Sequence, residues 1–112
     1  MTRRTEKVGA MIHKEVAILL HNLELPGMVT ISKVEVSADL RHAKVWITIL
    51  PADQLTEKKV LESLAEKMYE LQGQLNKKLT MKIIPRLAFK VDYSSDYADR
   101  INQLLKRAKE SL

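Results

Sequence analysis

Lys82, Arg86 and Lys90 stand four residues apart in one short stretch, and Lys77 and Lys78 precede them. No acidic residue falls between Leu71 and Val91, so this run holds five positive charges, matching the formal net charge of +5 for the whole chain. Cations repeated without interleaved acids do electrostatic rather than covalent chemistry, and a phosphate-bearing polyanion is what they fit. Arg3, Arg4 and Lys7 form a second basic group near the start. Trp46, the single tryptophan, has a ring able to stack a base.

Material for catalysis is sparse. His13, His21 and His42 are the only histidines, and none belongs to an H-E-x-x-H pattern. Asp39, Arg41 and His42 lie close together, but an aspartate in a short turn is needed for local backbone hydrogen bonds. Gly9, Gly27 and Gly73 are isolated, so there is no glycine-rich phosphate loop. No carboxylate cluster suggests a two-metal nuclease. Cysteine is absent, which excludes disulfides and thiolate chemistry. The expectation is a chain that is not an enzyme, with no cofactor, no metal and no small-molecule substrate.

The charges need elements to hold them. Val8, Ile12, Val16, Leu19, Leu20 and Leu23 recur at three and four, which predicts a helix from about Arg3 to Asn22 with Arg3, Arg4, Lys7 and Lys14 off its apolar stripe. Pro26-Gly27 ends that segment. Met28 to Ala38 and His42 to Leu50 read as two strands of an antiparallel hairpin, closed by Pro51. The apolar phase slips between Val29/Ile31 and Val34/Val36, which predicts a bulge or a late start near Ser32.

Thr56 is the expected N-cap of a second helix reaching Thr80, with Leu61, Leu64, Met68, Leu71, Leu75 and Leu79 inward. Unbroken, it would be about 37 Å long, too much for a domain with an expected radius of gyration of about 13 Å. A kink is expected, with Gly73 the internal candidate. Met81 to Asp92 reads as a third strand. Ile83, Pro85, Leu87, Phe89 and Val91 take one face; Lys82, Ile84, Arg86, Ala88 and Lys90 take the other. A last helix, about 95–110, begins at Ser94, Ser95 or Asp96 and turns Tyr97, Ile101, Leu104, Leu105 and Ala108 inward.

The order is thus α-β-β-α-(kink)-α-β-α, an α+β chain with a small three-stranded sheet. A crossover through the second helix carries the chain to the third strand. Helices cover one face, and the open face collects Lys44, Trp46, Thr48, Lys82, Ile84, Arg86 and Lys90. At 112 residues, 1–112 reads as a single domain with an adequate core. No stretch approaches the roughly 18 apolar residues of a membrane span. The basic start is followed by no long apolar run, so a cytoplasmic chain without membrane contact is expected. Lys77 and Lys78 also complement the negative end of a helix dipole.

V-E-V-S-A-D-L (Val34 to Leu40), A-K-V-W-I-T (Ala43 to Thr48) and P-R-L-A-F-K-V-D (Pro85 to Asp92) together resemble ribosome-binding factor A. The resemblance covers nearly the whole chain. It implies a type II KH-like fold and a bacterial assembly factor that binds the free 30S small ribosomal subunit and its 16S rRNA. It further implies support of late maturation near the 16S rRNA 5′ end, most needed in the cold. Two departures stand out. The Ala-x-Gly of the family's kink falls on Lys67-Met68-Tyr69, and the arginine after it on Gln72. The loop before the first strand shrinks to Glu24-Leu25-Pro26-Gly27. The expected RNA contacts are Lys82, Arg86, Lys90, Lys77, Lys78, Arg3, Arg4, Lys7 and Trp46, in a monomer that also meets neighbouring ribosomal proteins. The rival reading is a protein–protein module docking through the open sheet face or the Leu-rich helix.

Overall fold

In a computed structural model that describes residues 3–93 and 103–108, five elements follow one another. They are α1 (Arg3–His21), β1 (Met28–Val36), β2 (His42–Leu50), α2 (Gln54–Lys78) and β3 (Arg86–Val91). The apolar stripe of α1 is buried at Val8, Ile12, Val16, Leu19 and Leu20. After it the chain turns through Pro26-Gly27. A methyl group on Gly27 would meet Thr56 Cγ2 at 2.8 Å and the Leu50 carbonyl oxygen at 2.9 Å. This position therefore requires glycine for close approach to the end of β2 and the start of α2.

β1 and β2 pair antiparallel, and their register shifts between Ile31 and Lys33, so Ser32 is the extra residue of a bulge. The bulge restores inward phase on both sides: Ile31 lies opposite Ile47, and Val34 opposite Val45. β3 pairs parallel to β2, giving the order β1-β2-β3 with α2 as the crossover. Ala43, Val45, Ile47, Ile49 and Leu87 of the sheet meet Ile12 and Val16 of α1 and Val60, Leu64, Leu71 and Leu75 of α2 in one core. Each large side chain sealed there contributes about 1.5–3 kcal/mol of transfer free energy.

Four expectations need correction. The N-cap of α2 is Asp53, not Thr56: one carboxylate oxygen accepts from Thr56 N at 2.7 Å and the other from Thr56 Oγ1 at 3.0 Å. A carboxylate takes both bonds at once, which a threonine hydroxyl in the same place does not. The helix is also unbroken across Gly73. The glycine penalty of about 1 kcal/mol is outweighed by Leu71, Leu75 and Leu79, all buried around it. The molecule accommodates the length by being elongated, 50 × 29 × 20 Å with a radius of gyration of 15.1 Å.

The third strand is shorter than expected. Pro85 offers no N–H and restricts the residue before it, so the ladder starts with Arg86 N donating to Arg41 O at 2.9 Å. Lys82, Ile83 and Ile84 therefore lie off the sheet. Their alternation is reversed, with Ile83 48% exposed and Ile84 packed against the core. Residues 103–108 are helical, but Leu104, Leu105 and Ala108 are exposed rather than inward. α1 and α2 already fill the inner face of the sheet. Tyr97, Ile101 and the Ser94–Asp96 cap lie outside the described residues. Among the described residues no helix is long and apolar enough to cross a membrane.

Candidate nucleic-acid interface

The connection between β1 and β2 sets the geometry of the basic surface. Ser37 Oγ donates to Asp39 Oδ1 at 2.6 Å, Arg41 N donates to the same oxygen at 3.1 Å, and His42 N donates to Ser37 Oγ at 3.0 Å. Leu40 N closes the turn on Ser37 O at 2.9 Å. The Ser37 hydroxyl, and after it the Arg41 N–H, hold the Asp39 carboxyl below the usual carboxylate range. Asp39 thus acts as an ionised acceptor inside a turn, with no catalytic partner. Leu40 has φ of 60°, a left-handed conformation that costs a leucine roughly 1–2 kcal/mol. The four hydrogen bonds over-determine the turn and hold it there.

That strained residue faces a groove of about 550 Å³ between the first turns of α1, the hairpin turn and segment Thr80–Ile83. Arg4, Lys7 and Lys82 line it together with the Asp39 carboxylate, and Val8, Met11, Leu40, Met81 and Ile83 lie between them. Lys82, read from sequence as part of a strand column, instead joins the cations of α1. The two basic groups of the sequence are one patch. Arg3 is exposed beside it, and Lys77 and Lys78 are exposed on the last turn of α2, just before Thr80.

The same hairpin turn links the groove to the outer sheet face, because Arg41 abuts Arg86 through the backbone. The register places His42 beside Arg86, Lys44 beside Ala88 and Trp46 beside Lys90. Across β1, Lys33 lies opposite Trp46 and Glu35 opposite Lys44. Arg86 and Lys90 are exposed on this face and about 13 Å apart along the strand. Among the described residues none of Arg4, Lys7, Lys82, Arg86 or Lys90 enters an ion pair, the one such pair there being Lys33 with Glu35 at 3.4 Å. The positive potential of the surface is therefore directed outward.

The outer face is less open than the alternation suggests. Thr48 is only 8% exposed, and Trp46 is half-buried. Lys33 Nζ sits 5.1 Å from the centre of the Trp46 ring, a cation–π contact worth about 0.5–1 kcal/mol. Trp46 O accepts from Ser32 Oγ at 3.2 Å. The ring thus already has a lysine over one side, and a base could stack there only by displacing it. Much of the Leu/Met stripe of α2 is spent on the core, at Leu64, Leu71 and Leu75.

Three contributors escaped the sequence reading. Arg41 looked like a turn residue, and Lys33 comes to Trp46 only through the bulge. Gln72 is the third: its Nε2 donates to Pro85 O at 3.1 Å and its Oε1 accepts from Leu87 N at 2.9 Å. One side-chain amide thereby supplies the donor and acceptor that a neighbouring strand would give the edge of β3, and fixes Arg86 between its two contacts. The lone signal was a polar residue beside Leu71 and one turn from Leu75 in the buried part of the helix. Among the described residues no cluster of three or more His, Asp or Glu side chains could hold a metal ion.

Comparison with known proteins adds an independent line. Residues 4–105 match the family model for ribosome-binding factor A. A ribosome-binding factor A from Geobacter metallireducens is 38% identical over 109 residues, covering 95% of this chain and 92% of the relative. The solution structure of a Thermotoga maritima protein described as a ribosome binding factor A superposes with a TM-score of 0.68 at 24% identity, over 83% of this chain and 92% of that one. Coordinates of the Thermus thermophilus factor, fitted into a cryo-electron microscopy map of a 30S–factor complex, give a TM-score of 0.63 at 23% identity, over 77% and 92%. The three-stranded α+β architecture matches these structures, and it fits the KH-like fold that the resemblance implied.

Proposed function

We propose, from the premise that this chain belongs to the ribosome-binding factor A family, that it is a non-catalytic factor binding the free 30S small ribosomal subunit through its 16S rRNA. In this reading it acts as a cytoplasmic monomer and as one KH-like domain over 1–112. It assists late maturation of the subunit, including processing near the 16S rRNA 5′ end. The carrying observation is the surface on which Arg4, Lys7 and Lys82 outnumber the one carboxylate, Asp39, around the groove, continued by Arg86 and Lys90 on the sheet. Lysine and arginine in such an array bind by displacing counterions from the phosphate backbone, which suits recognition of folded RNA by shape and charge. The Thermus relative, a homology model of which was fitted into the map of its complex with a 30S subunit, supports the same partner.

The test is charge reversal at Lys82 and Arg86. Both are exposed, so Lys82→Glu with Arg86→Glu leaves the circular dichroism spectrum and melting temperature unchanged. Co-sedimentation with purified small subunits falls at least about tenfold, the loss expected when two phosphate contacts become repulsive. Binding equal to that of the parent protein would remove this surface from the interface.

A further inference from the structure

The groove holds more than charge. Arg4, Lys7 and Lys82 line it with a single carboxylate, Asp39, whose Oδ1 is already engaged by Ser37 Oγ and Arg41 N, while Met11, Leu40 and Met81 supply apolar lining that is half-buried and continuous with the core. A purely phosphate-binding surface has no use for that lining. The groove's volume of about 550 Å³ lies within the ordinary range for small-ligand sites, about 300–1,000 Å³. Met11 and Met81 are thioethers, which are polarizable and make favourable contacts with aromatic rings. Leu40 is kept there in a left-handed conformation by the Ser37–Asp39–His42 network. Strain maintained in this way clusters at functional sites.

We propose that this groove takes one unstacked nucleotide of an RNA strand. The base lies on Met11, Leu40 and Met81, and the flanking phosphates meet Arg4, Lys7 and Lys82. Recognition of this kind captures bases splayed out of loops and ends rather than paired ones. An acidic peptide would satisfy the rim as well, but its aliphatic or carboxylate side chains would gain nothing special from the two sulfurs. The proposal rests on the RNA-binding reading above and adds a point of base contact to it.

The full-length chain labelled with 13C in its methionine methyl groups provides the test. Ring currents move the Met11 and Met81 methyl signals when adenosine, guanosine, cytidine or uridine 5′-monophosphate is added. Ribose 5-phosphate, which has no base, moves only backbone amides near Arg4, Lys7 and Lys82. A single-stranded RNA tetramer shifts the same methyls with an affinity about tenfold above the mononucleotide, through its added phosphates. Leu40→Gly tolerates the positive φ and keeps every cation, and it weakens the tetramer about tenfold, the scale of one base contact. Equal responses to ribose 5-phosphate and to the nucleotides overturn the proposal. So does a tetramer that binds no more tightly than one nucleotide, or an acidic peptide that moves the two methyls where nucleotides do not. Any of these outcomes leaves the charge-reversal result intact, whereas loss of the RNA-binding reading would show first in that result.

Discussion

At the scale of single residues, two side chains do structural work that their types alone do not announce. Asp39 is held in its ionised form by the Ser37 hydroxyl and the Arg41 N–H. A carboxyl depressed in the folded state binds its proton later than in the unfolded chain. Its stabilising contribution is therefore present above the ordinary value of 3.8 and lost as the pH falls through the lower, folded value. Asp53 follows the same sign, through its bonds to the backbone and side chain of Thr56. Carboxyl titration by NMR should place both midpoints below 3.8, and thermal stability should decline through that acidic window. Asp39→Asn should remove part of the decline. Gln72 is the other case. Gln72→Glu keeps the size but sets an oxygen against Pro85 O, and an unmet bond at this half-buried site costs about 1–3 kcal/mol. The expected readouts are a lower denaturant midpoint and faster hydrogen exchange at the Leu87 amide.

Among the elements, what was legible and what was not divides along a physical line. Periodicity placed α1, the hairpin and the bulge at Ser32, because those follow from which residues must face the core. The expected break at Gly73 does not occur, because Leu71 and Leu75 on either side of it are buried in the core along one continuous helix. No atom outside its own helix lies within 4 Å of where a Gly73 side chain would begin. Gly73→Ala should then stabilise the protein by about 1 kcal/mol. Gly27→Ala should do the reverse, by about 1–3 kcal/mol, since its methyl group collides with Thr56 and Leu50. Chemical denaturation of the two variants checks both signs together, and equal effects would refute the distinction. The strand before β3 failed for a local reason: alternation continued on paper through Pro85, where the backbone loses its donor.

On the scale of the molecule, the decisive feature is convergence. Arg4 and Lys7 are more than seventy positions from Lys82 in the chain, yet they line one groove. The hairpin turn then carries the same surface on to Arg86. If five cations each meet a phosphate, log K should fall against log salt with a slope of roughly 3.5 to 4.5. Titration of subunit binding over a range of potassium chloride concentrations measures it. The Lys82→Glu, Arg86→Glu protein should have a slope smaller by roughly 1.4 to 1.8. A slope near zero would favour a partner bound by apolar contacts instead.

The sequence by itself determined most of the element types and inward faces and the excess of cations over acids, because these depend on residue chemistry and on periods of two and 3.6. It also held the family's motifs, spread over nearly its whole length. Only the tertiary structure decided which cations share a surface. That depends on the register of β3 against β2, on where Pro85 lets the ladder begin, and on a turn strained at Leu40 by hydrogen bonds that no periodic pattern records. Lys82 shows the difference: alternation put it in a column with Arg86 and Lys90, and the path of the backbone from α2 to β3 put it across a groove from Lys7.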